Sequence, residues 1–304
     1  DIQNNGSGDL AGFKKKVASV YHYFSVIRHA KEDKVVLFLE NSIDYIVALI
    51  ALFDVNIIVV PLNPLLNKTK TAYLISHSQA KFIITSEGSL SRNEWLKKLD
   101  CRIILTREIF QLAAGSSETS HITRKCLAQE SGIKFIMYTS GTVGDPKGVM
   151  LSKKSVKLKI LGLIKLLNFK PHANFFSFLP FFSGHGMIPG MLVPFLSGCR
   201  MYVGKFDAFL AFRFWALVKK YRINYFTSVP GILALLKERI GNIRKQDLKC
   251  MRSIFSASSG LPQPIYDWYL DYLDMRIRNC YGLTETTSWI SVNINPGKQE
   301  KANC

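Results

Sequence analysis

Short runs of apolar residues alternate with amphipathic segments along the first third of the chain. The runs lie at 34–39 (KVVLFL), 57–61 (IIVVP) and 81–85 (KFIIT). Strands with apolar side chains throughout are typical of parallel sheets that are buried on both faces. Helical spacing of apolar residues is found at 13–28, 42–53 and 69–78. This alternation predicts an α/β fold in which helices cover a mainly parallel sheet.

The same alternation resumes after a polar passage at 107–130. Further strands are predicted at 134–138, 175–179, 200–203, 225–229, 253–257 and 277–280. Further helices are predicted at 152–167, 208–221, 231–240 and 264–272. We therefore predict two α/β subdomains, with residues 1–130 in the first and residues 131–304 in the second.

One long uncharged stretch, Phe175–Gly198, raises the alternative of a membrane-spanning helix. It has no Asp, Glu, Lys or Arg over 24 residues, which is long enough to cross a bilayer. Pro180, Pro189 and Pro194 would interrupt a single helix repeatedly. We therefore predict a buried strand, a loop and a short helix here, and no transmembrane segment.

Composition narrows the class of protein. Hydrophobic residues make up 48% of the 304 residues and charged residues 20%, which favours a well-packed globular protein over a disordered one. The six cysteines have no CxxC spacing, and the first ten residues do not form a secretory signal. These features predict reduced thiols, a cytoplasmic location and no zinc site.

The formal net charge of +18 indicates either an anionic partner or a generally basic surface. Lysines and arginines are spread along the chain without a nucleic-acid-binding module, so a basic solvated surface is the favoured interpretation. A specific nucleic-acid partner is not predicted, although the charge alone keeps it as a third hypothesis. Peripheral contact with a membrane surface stays open, and the oligomeric state is not predicted.

The densest chemistry lies at 138–149, in the sequence YTSGTVGDPKGV. Its glycines allow backbone N–H groups to converge on an anion, and its hydroxyl groups and Lys147 add donors and charge. The lysine lies between Pro146 and Gly148, so this is not the GxxxxGK[ST] loop of P-loop proteins. The stretch predicts a phosphate-binding loop of another kind.

This stretch closely resembles the signature of adenylate-forming enzymes, the superfamily of acyl-CoA synthetases, peptide-synthetase adenylation domains and beetle luciferases. A second stretch, YGLTETT at 281–287, resembles another signature of the same superfamily. LPFFSGHGM (179–187), NYFTSVPGILALL (224–236), IFSASSGLP (254–262) and the region 35–64 are similar to its other landmarks in the expected order. The resemblance covers nearly the whole chain and implies the large N-terminal domain of that superfamily, with two stacked, mainly parallel α/β subdomains.

The resemblance also implies roles for individual residues. Lys147, Thr284 and Glu285 would be catalytic, and Glu285 would hold Mg²⁺. The nucleotide would be bound by Thr139, Ser140, Gly141, Thr142, Gly144, Lys147, Ser258, Ser259, Gly260, Asn279, Cys280, Tyr281, Gly282 and Thr284. The acid substrate would contact Phe182, Ser183, His185, Ala257 and Gly282. For His185, a place in the wall of the acyl pocket and a place in the packed core are equally supported.

The resemblance implies ATP-dependent activation of a carboxylic acid to an acyl-adenylate. The acyl group would then pass to a thiol acceptor, either CoA or the phosphopantetheine of a carrier protein. Five phenylalanines at 175–182 and the lack of an aspartate in 175–198 favour a fatty or aromatic acid. The alternative is a catalytically incomplete relative that binds AMP, ATP or an acyl-adenylate.

Three departures from the superfamily pattern support that alternative. Val143 replaces a threonine of the usual signature, which removes one hydroxyl donor from the loop. SASSGLP stands where the superfamily usually has SGAAPL. The superfamily's β-rich subdomain and C-terminal domain would follow residue 304. The chain is therefore expected to be either a fragment of a longer enzyme or a shortened relative.

Overall fold

The structure is a computed structural model that describes residues 8–27, 33–111, 132–139 and 146–293. Its strands are β1 Lys34–Phe38, β2 Ile58–Pro61, β3 Phe82–Thr85, β4 Arg102–Leu105, β5 Ile133–Thr139, β6 Lys147–Ser152, β7 Asn174–Ser177, β8 Arg200–Val203, β9 Tyr225–Ser228, β10 Ser253–Ser256, β11 Ile277–Leu283 and β12 Ser288–Val292. Its α-helices are Leu10–Val26, Ile43–Asp54, Lys68–Ser78, Glu87–Arg92, Thr106–Gln111, Lys153–Leu167, Gly184–Met187, Val193–Leu196, Ala208–Lys220, Pro230–Glu238 and Gln263–Leu273. Short 3₁₀ segments lie at Glu94–Lys98 and Lys245–Leu248, and a π-helical turn lies at Ile188–Leu192.

Several helices begin where a polar side chain caps the first turn. Ser42 accepts a hydrogen bond from the Tyr45 N–H, and Asn67 accepts one from the Lys70 N–H. Asp207 caps the helix that follows β8 in the same way. Each cap satisfies a backbone donor that has no partner within its own helix.

The first sheet has the strand order β4-β3-β1-β2-β5-β6 among the described residues. All of its pairs are parallel except β5 with β6. The side chains of β2 and β3 are buried throughout, as are all but the first of β1. The continuous apolar runs of the sequence are therefore strands covered on both faces, as predicted.

The boundary between the two compact units differs from the predicted one. The chain divides between Lys157 and Leu158, whereas the polar passage had predicted a division at 130/131. The physical reason is strand pairing: Phe135 of β5 lies beside Val59 of β2, so the strand after the passage returns to the first sheet.

The sequence pattern also placed residues 146–149 in a loop, but Lys147–Ser152 is a strand. It pairs antiparallel with β5, and Gly148 lies opposite Tyr138. A Cβ at Gly148 would stand 2.9 Å from Ile136 Cγ2, so the glycine permits the close approach of these strands.

The second sheet has the strand order β12-β11-β10-β9-β7-β8 among the described residues, and only β11 with β12 is antiparallel. Its largest cluster of buried side chains is rich in aromatic residues. Phe176 stacks on Phe214 with ring centroids 5.3 Å apart, and Phe178 packs edge-on against Phe214. This closely packed aromatic cluster is part of the core of the second unit.

The uncharged stretch 175–198 folds as predicted into a buried strand followed by short helical turns. Gly186 lies where a Cβ would come within 2.0 Å of the Pro180 carbonyl oxygen, so only glycine fits there. Among the residues that the structure describes, no helix combines the length and the hydropathy needed to cross a bilayer.

A buried lysine links β5 to the end of helix Ile43–Asp54. The ammonium group of Lys134 donates hydrogen bonds to the carbonyl oxygens of Leu52, Val55 at 2.8 Å and Ile57 at 2.7 Å. Leu52 lies in the last turn of the helix and Val55 is its C-cap, at an end where backbone acceptors lack partners within the helix. Burial lowers the pKa of Lys134 to about 7, with a smaller lowering from Lys153, while the Asp54 carboxylate opposes the shift.

Replacing Lys134 by Met should destabilise the chain markedly. The substitution keeps the length of the side chain but leaves three buried carbonyl oxygens without their donor, at a cost of about 3 kcal/mol. Urea unfolding measures the effect, and Lys154→Met, at an exposed position, is the matched control. A free energy of unfolding for Lys134→Met within about 0.5 kcal/mol of the unmodified chain would contradict this role.

Candidate active site

Two of the predicted phosphate-binding residues in the first unit, Thr139 and Lys147, lie where β5 ends and β6 begins. Thr139, the last residue of β5, is the cross-strand partner of Lys147, the first residue of β6. Lys147 is exposed. Ser140, Gly141, Thr142, Val143 and Gly144, which connect the strands, lie outside the described residues. The hairpin therefore brings one hydroxyl and one ammonium group to the two ends of the predicted loop.

A pair of aromatic rings holds the end of β5. The Tyr138 hydroxyl lies 2.7 Å from His77 Nδ1, and the two rings meet edge-on with centroids 5.6 Å apart. Burial, with a smaller effect from Tyr73, raises the pKa of Tyr138 to about 12, so the hydroxyl keeps its proton at neutral pH. No sequence motif pointed to His77, which is 61 residues away from Tyr138.

In the second unit, many of the predicted site residues lie in or directly after two strands that are neighbours in the sheet, at 257–260 after β10 and at 279–282 in β11. Ser256, the last residue of β10, pairs with Ser228 at the end of β9 and with Asn279 in β11. The segment that begins at Ala257 therefore leaves the sheet beside Asn279. The carboxyl ends of adjacent parallel strands are the usual position of ligand sites in open α/β sheets.

The YGLTE stretch covers the last three residues of β11 and the start of the turn that leads to β12. Tyr281 is 56% exposed, and Glu285 is also exposed. The Thr286 hydroxyl accepts a hydrogen bond from the Leu283 N–H at 3.0 Å and lies 2.8 Å from the Ser288 carbonyl oxygen. The turn is thus closed by its own side chain, with the Tyr281 ring and the Glu285 carboxylate left accessible.

His185 lies at the centre of a hydrogen-bonded cluster in the second unit. Its Nδ1 is 2.9 Å from the Ser258 hydroxyl, and its Nε2 is 2.6 Å from the Thr227 hydroxyl. Its ring packs edge-on against Trp289, with centroids 5.3 Å apart. Burial lowers the pKa of His185 to about 3, so the imidazole is neutral at physiological pH. Both nitrogens are hydrogen-bonded within the protein, so the orientation of the ring is fixed.

Ser258 adopts a left-handed backbone conformation, with φ of 74°. That conformation is unusual for a residue with a side chain, and here the hydroxyl bonded to His185 helps to hold it. Thr227 and Trp289 had not been singled out from the sequence. Thr227 lies 42 residues from His185, and no local pattern joins them.

The stability of the chain should respond to pH through His185. The folded-state pKa is about 3 and the unfolded value about 6.5, so the unfolded chain binds more protons between these values. The free energy of unfolding is therefore unaffected by the protonation of His185 at pH values well above about 6.5. It falls as the pH drops below that value, by about 2 kcal/mol at pH 5.

Urea unfolding at pH 7 and pH 5 tests this dependence. The loss of stability between the two pH values should be smaller by about that amount in His185→Gln, and unchanged in His22→Gln, which replaces an exposed histidine. An equal loss in the unmodified chain and in His185→Gln would contradict it.

The phenylalanines of 175–182 belong mainly to the core. Phe175, Phe176, Phe178 and Phe181 are at most 1% exposed, so these side chains are not available to line a pocket. Only Phe182 is partly exposed. A run of apolar residues in the sequence does not distinguish a buried core strand from the wall of a ligand pocket.

The other predicted site residues of the second unit divide by exposure. Ser259 and Gly260 are exposed, and Ser183, Gly282 and Thr284 are half-buried. The side chains of Ala257 and Cys280 are buried, at 2% and 5% exposure. The side chains of these two positions are therefore not available to a ligand at the surface.

The described residues contain no group of three or more His, Cys, Asp or Glu side chains suited to hold a metal ion. Glu285 supplies a single exposed carboxylate. Mg²⁺ bound with a nucleotide takes most of its ligands from phosphate oxygens and water and needs only one or two carboxylates. The donor set therefore fits a nucleotide-bound magnesium ion and not a structural metal centre.

Comparison with known proteins agrees with this geometry. The fold is similar to that of MatB from Rhodopseudomonas palustris, solved with ATP bound, with a TM-score of 0.82 and 21% identity over 96% of this chain and 57% of that chain. In sequence, the chain is 24% identical over 272 residues to an oxalate–CoA ligase of Arabidopsis thaliana, covering 87% of this chain and 53% of the relative. It is 21% identical over 266 residues to bacitracin synthase 3 of Bacillus licheniformis, covering 86% of this chain and 4% of the relative.

The two mainly parallel sheets are those of the N-terminal domain of adenylate-forming enzymes. Residues 13–304 match the family described as AMP-binding enzyme, and the chain belongs to that family. The resemblance recognised from the signature motifs is thereby confirmed. The chain spans about half the length of the CoA ligases that it matches.

Proposed function

We propose that this chain is the nucleotide-binding part of a ligase that activates a carboxylic acid with ATP and transfers the acyl group to a thiol. The observation that carries the proposal is the position of the YGLTE turn. Tyr281 near the end of β11 and Glu285 just after it are both exposed, and β11 pairs in parallel with β10, the strand that precedes the Ser258–Gly260 segment. Membership in the AMP-binding enzyme family supports a nucleotide as the ligand.

Each group has a role suited to its chemistry. The Tyr281 ring would pack on the adenine, and Asn279 with the Ser258–Gly260 segment would border it. Thr139 and Lys147 would neutralise and position the phosphates, and the Thr284 hydroxyl would donate to the same region. Glu285 would hold Mg²⁺, which would offset negative charge on the phosphate oxygens.

The reaction consists of two displacements. A carboxylate oxygen of the acid attacks the α-phosphorus, and pyrophosphate leaves with the electron pair of the broken P–O bond. The thiol sulfur then attacks the acyl carbon, AMP leaves and the thiol proton is lost to solvent. Positioning and charge stabilisation by the protein account for most of the acceleration of such steps.

The class of acid is a finer part of the proposal. A fatty or aromatic acid is still favoured by the lack of an aspartate in 175–198 and by the half-buried Phe182. The four core phenylalanines give no support to it. His185, neutral and hydrogen-bonded at both nitrogens, would form part of the acyl-pocket wall without offering a charge to the acid. The proposed thiol acceptor is CoA or the phosphopantetheine of a carrier protein. The proposed location is the cytoplasm.

Exchange of labelled pyrophosphate into ATP tests the proposed activity. A catalyst should show exchange that depends on an added carboxylic acid, measured over a panel of fatty, aromatic and short dicarboxylic acids. The alternative of a non-catalytic binder predicts saturable binding of ATP or AMP without exchange for any acid. Absence of both exchange and nucleotide binding would overturn the proposal.

A further inference from the structure

A strongly basic helix with exposed leucines follows β6 and takes no part in the proposed chemistry. Helix Lys153–Leu167 has five lysines and no acidic residue. The sequence has no Asp or Glu at all between Asp145 and Asp207. Part of the net charge of +18 is therefore concentrated in one segment and not spread evenly.

One face of this helix is buried and holds it in place. Val156, Ile160 and Leu163 are at most 6% exposed. The Lys159 ammonium group donates a hydrogen bond to the Trp289 carbonyl oxygen at 2.7 Å. The helix is thus packed against the protein by one face, and this fixes which of its residues face outward.

That outer face combines lysines with exposed leucines along a single stripe. Lys154, Leu158, Leu161 and Lys165 follow each other at intervals of three or four residues, which places them on one side of a helix. Leu158 is 59% exposed and Leu161 is 53% exposed, and both lysines are exposed. We call these four residues the lysine–leucine face.

The lysine–leucine face matches an anionic lipid surface in both of its components. Lysines near such a surface are attracted to the charged headgroups, and their long stems let adjacent apolar side chains approach the acyl chains. A soluble acidic partner would be served by the lysines alone and would not explain the two leucines between them. We propose that the lysine–leucine face docks the protein reversibly on anionic membranes.

The expected binding is weak and sensitive to salt. Two lysines and two leucines give a marginal and reversible attachment, unlike the insertion of a spanning helix. Attraction to the headgroups is screened within about 8 Å at physiological ionic strength. Because vesicle binding needs neither ATP nor an acid, the inference stands or fails independently of the proposed ligase activity.

Co-sedimentation of the whole chain with lipid vesicles tests the inference. Phosphatidylcholine vesicles with about 30 mol% phosphatidylglycerol should bind the chain, and pure phosphatidylcholine vesicles should not. Lys154→Gln combined with Lys165→Gln should lower the partition coefficient at least about tenfold. Leu158→Gln combined with Leu161→Gln should lower it by a similar factor.

Matched control variants remove the same groups from other surfaces. Leu10 and Leu65 are 64% and 61% exposed, and Lys97 and Lys98 are also exposed. Replacing either pair by Gln should change vesicle binding less than about twofold, since neither pair belongs to the lysine–leucine face. An equal loss in the controls would overturn the inference, because binding would then follow net charge alone.

Two other outcomes would also overturn it. The first is the absence of binding to anionic vesicles at low salt. The second is binding to soluble polyglutamate that is as tight as vesicle binding and insensitive to the leucine substitutions. That result would assign the face to an acidic protein partner in place of a membrane.

Discussion

Glu285→Gln should lower the rate of acid-dependent pyrophosphate exchange by about 100-fold or more. The substitution keeps the shape of the side chain but removes the negative charge that is proposed to hold Mg²⁺. Because Glu285 is exposed, the free energy of unfolding should change by no more than about 0.5 kcal/mol. The deficit should narrow at high magnesium concentration, where a weakened metal site is filled again.

Glu238→Gln is the matched control for this prediction. Glu238 is an exposed glutamate of the same unit and lies outside the proposed site. Its exchange rate and its dependence on magnesium should equal those of the unmodified protein. If Glu285→Gln kept more than a third of the exchange rate, its proposed metal role would be contradicted.

Gly282→Ala should separate β11 from β12 and abolish exchange activity. A Cβ at position 282 would lie 2.3 Å from the Ser288 carbonyl oxygen and 2.6 Å from Trp289 Cα. Both atoms belong to the backbone, so no side-chain rotation relieves the overlap. We expect a loss of about 3 kcal/mol of stability, together with displacement of Tyr281 and Glu285.

Urea unfolding and near-ultraviolet circular dichroism measure this effect, since Trp289 is buried beside the altered pair. Gly231→Ala is the control, because nothing lies within 4 Å of a Cβ built there. Since Gly231 lies in helix Pro230–Glu238, its replacement should be neutral or stabilising by up to about 1 kcal/mol. Equal stability of the two alanine variants would show that the β11–β12 pair tolerates the extra methyl group.

The sequence predicted the central strands because their burial leaves a continuous apolar run. The strands β1, β2 and β3 were each identified within about one residue for this reason. The antiparallel strands β6 and β12 were missed. Each is an edge strand of the described sheets with partly exposed side chains, and in the sequence each follows a polar stretch that obscures the strand pattern.

The candidate site was predictable only where its chemistry lies in contiguous residues. The stretches YTSGTVGDPKGV and YGLTE are local and were found from the sequence. The partners of His185 and Tyr138 were not, because the fold brings them together across 42 to 73 residues. The division at Lys157/Leu158 was missed for a related reason, since pairing of β5 with β2 is a non-local property.

The most direct test of acid activation follows one oxygen atom. A carboxylic acid labelled with ¹⁸O in its carboxyl group is incubated with the complete natural protein, ATP, Mg²⁺ and CoA. Mass spectrometry then determines the isotope content of the released AMP. Attack of the carboxylate on the α-phosphorus predicts AMP that contains one ¹⁸O atom from the acid. Unlabelled AMP, or ADP as the nucleotide product, would contradict formation of an acyl-adenylate.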